Sequence, residues 1–210
     1  MVNNGSEARR AACVGEQHGF SVLELMIVIT VGMIITGMAM FMLSPAVQDA
    51  RSDAAMRQMV DQLRQAREYA VTNRRYVQVQ FLNPVGGPYQ IELTQTNTLT
   101  PGAGAVNPVL STIPLQSPAA YYLSGTVGDT PDAFGNASAI YFGNTVNGPP
   151  AGMYFQSDGE FVAGGTYLAI NGTVFMGVAG QTSSYRAVTV MGATGRIRGW
   201  KYAGTTWSQF

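Results

Sequence analysis

The sequence of 210 residues predicts an α+β protein in which a long N-terminal helix, kinked near Pro45, packs against an antiparallel β-sheet head. Three observations lead there. Leu25 to Leu43 is an apolar run of 19 residues without a charge. Beyond Pro45, apolar residues recur every three or four positions, the period of an amphipathic helix. From Val77 on, short stretches alternate apolar with polar residues and are parted by Gly, Pro and Asn, the pattern of strands joined by turns.

Residues 1–19 are polar, mixed in charge and aperiodic, and read as a leader outside the fold. The helix begins at Phe20. Its apolar run would extend about 28 Å at 1.5 Å per residue, close to the hydrocarbon thickness of a bilayer, so residues 20–43 read as a transmembrane helix. A secretory signal is the poorer account. Its apolar core is about 7–15 residues long and follows a basic segment, whereas here the nearest base is Arg10 and an acid, Glu24, abuts the run. Such an acid costs about 2.5–3.5 kcal/mol on insertion scales and needs a reason to be there. Arg9 and Arg10 on one side are balanced by Arg51 and Arg57 on the other, so charge does not orient the span.

Residues 44–75 continue the helix. Pro45 removes a backbone donor and crowds the preceding turn, hence the expected kink. Met56, Met59, Val60, Leu63, Ala66 and Ala70 form the apolar side, with Arg57, Asp61, Arg64, Glu68 and Arg75 opposite. Asp53–Arg57 and Asp61–Arg64 are expected as intrahelical pairs worth about 0.2–0.5 kcal/mol each. The arginines of this stretch are expected to form a solvated face with such local partners.

Residues 76–210 form the β-rich head. Val77–Leu82 and Tyr89–Thr94 alternate on either side of Pro84-Val85-Gly86-Gly87-Pro88, which predicts a hairpin. Residues 95–138 are rich in Thr, Pro, Gly, Ala and Ser and read as a variable loop insertion with two short strands. Strand signals return at Ala139–Phe142 and Met153–Phe155, with turns at Asn147-Gly148-Pro149-Pro150 and Asp158-Gly159. Tyr167–Ile170 and Thr173–Val178 flank Asn171-Gly172, a two-residue hairpin signal. Tyr185–Met191 and Arg196–Tyr202 flank Gly192-Ala193-Thr194-Gly195, which predicts another hairpin.

Charged residues are only 11% of the chain, which suits an extracellular head. The net charge is zero but uneven: from Arg186 to the end there are Arg186, Arg196, Arg198 and Lys201 and no acid.

Gly19-Phe20-Ser21-Val22-Leu23-Glu24, followed by the apolar run, resembles the class III signal of type IV pilins and pseudopilins. The resemblance implies that prepilin peptidase cuts after Gly19, that Phe20 becomes an N-methylated terminus, and that Glu24 is the fifth mature residue. It implies a single pass through the bacterial inner membrane, with residues 1–19 cytoplasmic and the head periplasmic or extracellular. It further implies assembly with other pilins or pseudopilins into a filament, whose core residues 20–43 would occupy. There Glu24 would pair with the terminal amine of a neighbouring Phe20.

Leu63 to Val71 with its Ala66-Arg67 pair, followed by Arg74 and a Val-rich strand, is similar to the minor pseudopilin family of the GspH/FimT type. Tyr154-Phe155-Gln156-Ser157-Asp158-Gly159 resembles the family's F-x-x-x-G turn. Val188-Thr189-Val190 and then Gly195-Arg196-Ile197-Arg198 resemble its last strand pair with a G-R-x-R turn. Residues 95–138 lie outside the resemblance. The expected function is structural, as a minor pilin of a type IV pilus or a pseudopilin of a type II secretion system.

Cleavage at Gly19 would remove Cys13 and His18, the only Cys and His. The mature chain would then lack a disulfide, a Cys/His zinc site, a His base and a Cys nucleophile. No enzymatic activity, no cofactor and no metal are expected. The alternative function is DNA binding. On a strand, Arg196, Arg198 and Trp200 share one face, and Ile197 and Lys201 the other. Same-face arginines suit phosphates, and a neighbouring Trp suits stacking on an unpaired base. Some members of the FimT branch bind DNA through this turn during uptake, so the resemblance implies weak, non-specific and salt-sensitive binding here. The competing account is a structural hairpin whose arginines face solvent or the helix. Asp129, Asp132, Asp158 and Glu160 read as turn residues rather than calcium ligands.

Overall fold

The computed structural model describes residues 19–85, 87–99, 107–143 and 152–210. Residues 1–18 of the expected leader and the expected turn at Asn147-Gly148-Pro149-Pro150 lie outside the described residues. The chain divides after Leu43 into two compact units. The first contains the apolar start of helix α1 (Val22–Asn73); the second, Ser44–Phe210, contains the rest of α1 and the β head.

Ser21 starts the helix. Its hydroxyl accepts the Leu23 N–H at 3.3 Å and its carbonyl accepts the Leu25 N–H at 3.1 Å. A serine cap of this kind satisfies one of the four orphan amides of a helix start. Glu24 stands in the first turn, beside the positive end of the helix dipole. The Thr30 and Thr36 hydroxyls donate to carbonyls one turn back, so neither is an unpaired donor in an apolar segment. The helix runs on through Pro45. It stops at Asn73 because Arg74 turns into the left-handed region, φ 51°, and the Arg75 N–H reaches back to the Ala70 carbonyl at 3.2 Å. That six-to-one bond is a Schellman ending, with arginine where glycine is usual.

In the second unit the helix buries Met56, Met59, Val60, Leu63, Ala66 and Ala70, as the spacing predicts, together with Ala55. Two antiparallel sheets share that stripe. The first has the order β3-β2-β1-β6-β7, from β1 (Tyr76–Leu82), β2 (Gln90–Thr96), β3 (Val109–Pro114), β6 (Met153–Phe155) and β7 (Phe161–Ala163). The second has the order β11-β10-β9-β8-β4, from β4 (Ala120–Tyr121), β8 (Gly172–Gly177), β9 (Arg186–Met191), β10 (Arg196–Tyr202) and β11 (Trp207–Gln209). A further strand, β5 (Ile140–Phe142), pairs β8 beside β4. Val77, Val79, Phe155 and Phe161 from the first sheet meet Val174, Val188, Val190 and Ile197 from the second in one core.

The β1–β2 and β9–β10 hairpins form as expected. The insertion is not an appendage. β3 extends the first sheet and β4 the second, and the Tyr121 hydroxyl crosses between them to the Gln90 carbonyl at 2.7 Å. Burial pushes that phenol above its ordinary pKa. Residues 122–135 then cover the outer face of the second sheet. Val127 packs on Tyr185 and Tyr202, Leu123 on Phe175, Ala187 and Trp200, and the Trp207 indole donates to the Gly128 carbonyl at 2.9 Å.

The hairpin expected at Asn171-Gly172 is absent. Residues 167–170 return instead along β7, where Ala163 and Ile170 exchange bonds with Leu168 and Phe161, and β8 pairs β9 on one side. Gly172 is small for another reason: a Cβ there would overlap the Phe142 ring. The close approach of an aromatic from β5, not a turn, uses this glycine. β7 and β11 are strands of three residues that the sequence pattern did not mark.

Arg74→Gly tests the account of the helix end. Relief of left-handed strain, about 1–2 kcal/mol, less the extra entropy glycine loses on folding, about 0.5–1 kcal/mol, predicts a net gain of up to about 1.5 kcal/mol in denaturant unfolding; a loss of stability would contradict it.

Candidate functional site

Two regions hold the residues singled out by the sequence. The first is the start of α1. Phe20 is 82% exposed, Gly19 and Glu24 are exposed, and every residue from 19 to 40 is open to the surroundings. An 18-residue window here has a mean hydropathy of 2.3, and none of it is buried. An apolar surface all round a helix marks an element that is covered by lipid or by other helices.

The second is the connection between β9 and β10. Its chain reverses in a short 3-10 turn, Gly192–Thr194, followed by Gly195 at φ 59°. A Cβ on Gly195 would run into the Gly159 carbonyl and the Arg67 side chain. Arg67, at the edge of the helix, donates its Nε to that same carbonyl at 3.2 Å. Gly159 belongs to the β6–β7 turn, where the Glu160 N–H donates to Asp158. The Ala66-Arg67 pair, the Phe155–Gly159 turn and the Gly195 turn therefore meet at one junction. Ala66 lets the helix approach, Arg67 bridges, and two glycines make room.

The parity expected for β10 is correct, and its consequence differs from the expectation. Arg196, Arg198 and Trp200 do share the outer face, but that face is covered at Trp200 and open only toward the two arginines. Trp200 is 5% exposed, packs on Phe175 and Ala187, and donates its indole N–H to the Thr189 hydroxyl at 2.9 Å. It is a core residue and offers no face to a base. The Thr189 hydroxyl donates in turn to Asp132 at 2.6 Å. Asp132 also takes Arg198 at 2.9 Å and Arg196 at 3.5 Å while its side chain is 8% exposed. This carboxylate comes from the insertion and is not a simple turn residue. Asp129 is one: it accepts the Thr130 and Gly135 amides.

On the inner face, Lys201 reaches Asp53 at 3.6 Å and Arg186 is bonded to the same carboxylate. Arg186 is fully buried; its Nη1 donates to the Ser183 and Tyr185 carbonyls, and its Nη2 is buried without a hydrogen-bond partner. Asp53 thus turns to the sheet and not to Arg57, and among the described residues no ion pair joins Asp61 to Arg64. A signal for this pair existed in the sequence. Arg186 has the parity of Val188 and Val190, which face the core, and a base at such a position requires an acid opposite.

Beside the junction of Arg67 with the two glycines lies a groove of about 470 Å³ walled by Arg64, Arg67, Glu68, Asp158 and Arg196. Arg196 keeps 44% of its side chain exposed there. Among the described residues there is no cluster of three His, Cys, Asp or Glu side chains.

Residues 16–40 match the family model for the prokaryotic N-terminal methylation motif. The N-terminus is type IV prepilin-like. Such a motif implies processing by a prepilin peptidase and assembly with other pilins, and with the exposed apolar helix it fits a membrane-anchored pilin. The match covers Gly19, Phe20 and Glu24 and leaves the head untouched. No curated protein and no solved structure is matched by the chain.

The two ion-pair sites should respond differently to loss of the acid. Asp53→Ala strands a buried guanidinium and is expected to cost about 3–5 kcal/mol. Asp132→Asn leaves arginines that still reach water and should cost about 1–2 kcal/mol. Denaturant unfolding followed by the fluorescence of Trp200 and Trp207, the chain's two tryptophans, measures both.

Proposed function

We propose that this chain is a minor pilin or pseudopilin of the GspH/FimT type, a structural protein without catalytic activity. Prepilin peptidase cuts between Gly19 and Phe20, Phe20 is N-methylated, and the processed chain passes from the inner membrane into a type IV pilus or a type II secretion pseudopilus. The observation that carries the reading is the coincidence of the methylation motif at residues 16–40 with a helix that is apolar and exposed on every side.

Glu24 acquires a mechanism on this reading. Its cost in an apolar surrounding is about 2.5–3.5 kcal/mol. The helix N-terminus offsets about 0.3–1 kcal/mol of that. About 2 kcal/mol is left for a counter-charge, and the amine of a neighbouring Phe20 supplies one. Mass spectrometry of the protein made with its peptidase should find a chain beginning at methylated Phe20; an intact leader would sink the reading. Glu24→Gln should be processed normally and be absent from filaments.

The DNA-binding alternative rests on Arg64, Arg67 and Arg196 around one groove, and no longer on Trp200. Two arginines sharing one carboxylate leave the turn a net positive charge for phosphates. In gel shifts at low salt, Arg196→Ala with Arg198→Ala should abolish retardation of DNA. Retardation that is unchanged removes the turn from consideration.

A further inference from the structure

The outward face of α1 carries Arg57, Asp61, Arg64 and Glu68, spaced by four, three and four residues. In a helix this spacing keeps all four on one face, in steps of about 5.5 Å. All four are exposed. Opposite charges so spaced ordinarily close pairs with one another, yet among the described residues none of the four has an opposite charge within 4.0 Å. Arg57 lies over the Phe210 ring instead. The contrast with β9 and β10 is sharp, because Arg186, Arg196, Arg198 and Lys201 are all paired. Alongside the stripe run the groove at Arg67 and a smaller one of about 200 Å³, which share Arg64 and present Met56, Val60, Ile197 and Gly199 between the charges.

We propose that this stripe is a contact between copies: it receives the same stripe of a second copy of the chain, parallel and displaced by one charge step. Between parallel copies, alternating charge is complementary to itself only after such a displacement, whereas antiparallel copies would match flush. Arg64 then faces the partner's Asp61, Asp61 faces the partner's Arg57, and Glu68 faces the partner's Arg64. In register, like would face like at all four positions, so the pattern selects a stagger and rejects a flush pair. The parallel sense rests on the filament reading above, since copies in one filament share polarity. Each pair is exposed and weak alone, so the contact is salt-sensitive and acts through repetition.

The test uses two single substitutions and their mixture. Arg64→Glu sets acid against acid at two contacts of a staggered pair, and Asp61→Arg sets base against base at two. Mixed, an Arg64→Glu copy staggered on an Asp61→Arg copy restores opposite charges at all three. Full-length processed protein in detergent, labelled through one cysteine introduced at the start of α1, reports association by energy transfer only between parallel copies, since antiparallel copies would hold the two labels far apart. Each variant alone should associate about tenfold more weakly than wild type, and the mixture should recover wild-type transfer, which also shows that both variants fold. Singles that associate like wild type, or a mixture as weak as either, overturn the proposal. So does recovery by a different pilin where the second copy gives none. Filament incorporation is scored separately. A wild-type chain that is processed and incorporated while its copies ignore the swap defeats the stripe and spares the assembly reading. A chain never processed defeats the assembly reading, and the swap still decides the stripe.

Discussion

One apolar stripe, Ala55, Met59, Leu63, Ala66 and Ala70, has to close two sheets at once. A helix offers a stripe of limited width, so both sheets must come close to its axis. Alanine at three of these positions permits that, and so does Gly199, where a Cβ would press on the Met56 sulfur. The inner faces of both sheets are used up by this arrangement. The outer face of the second sheet then needs a cover of its own, and residues 122–135 supply it with Leu123, Val127 and a carbonyl for Trp207. What looked like a loop rich in small residues is the third layer of the head.

The same constraint explains where ions are buried. A helix that slides along two sheets by one turn would still bury apolar atoms. The pairing of Asp53 with Arg186 penalises such a shift, because a fully buried guanidinium without its acid is costly in every other register. Bonds at the rim act in the same sense. Ser183 donates to Asp49, Arg51 to the Ser117 carbonyl and Gln58 to the Pro114 carbonyl. Polar groups thus set the register of a contact whose free energy is mainly apolar.

Much of this was legible in the sequence, and the exceptions share one cause. The helix, its buried stripe and the β1–β2 and β9–β10 hairpins follow from periods and turn residues that act within a few positions. The Asn171-Gly172 signal failed because the ring of Phe142, a residue distant in the chain, needs the space beside Gly172. Trp200 looked available because its strand face alternates correctly, while the cover on that face comes from an insertion without a pattern of its own. Asp53 looked like the partner of Arg57 because four residues separate them, and nothing local announces that a core-facing Arg186 competes for it. Local rules read each element well and are silent on which distant segment lies over it.

The cationic turn divides by task in this light. Gly195, Gly159 and Arg67 hold a junction in which each atom has a packing reason. Arg198 is committed to Asp132, and through Thr189 that carboxylate is tied to the Trp200 indole, so the charge of the turn is coupled to the layer beneath it. Arg196 has only a longer contact to the same acid and remains nearly half exposed, and Arg64 faces it across the groove without a partner. A phosphate or a neighbour's carboxylate arriving there would meet the unpaired Arg64 and the half-exposed Arg196 on different elements, not a row of basic side chains on one strand. Of the residues that make the turn recognisable, only Arg196 is placed to bind through it, and resemblance in the turn reports the shape of the junction before it reports any ligand.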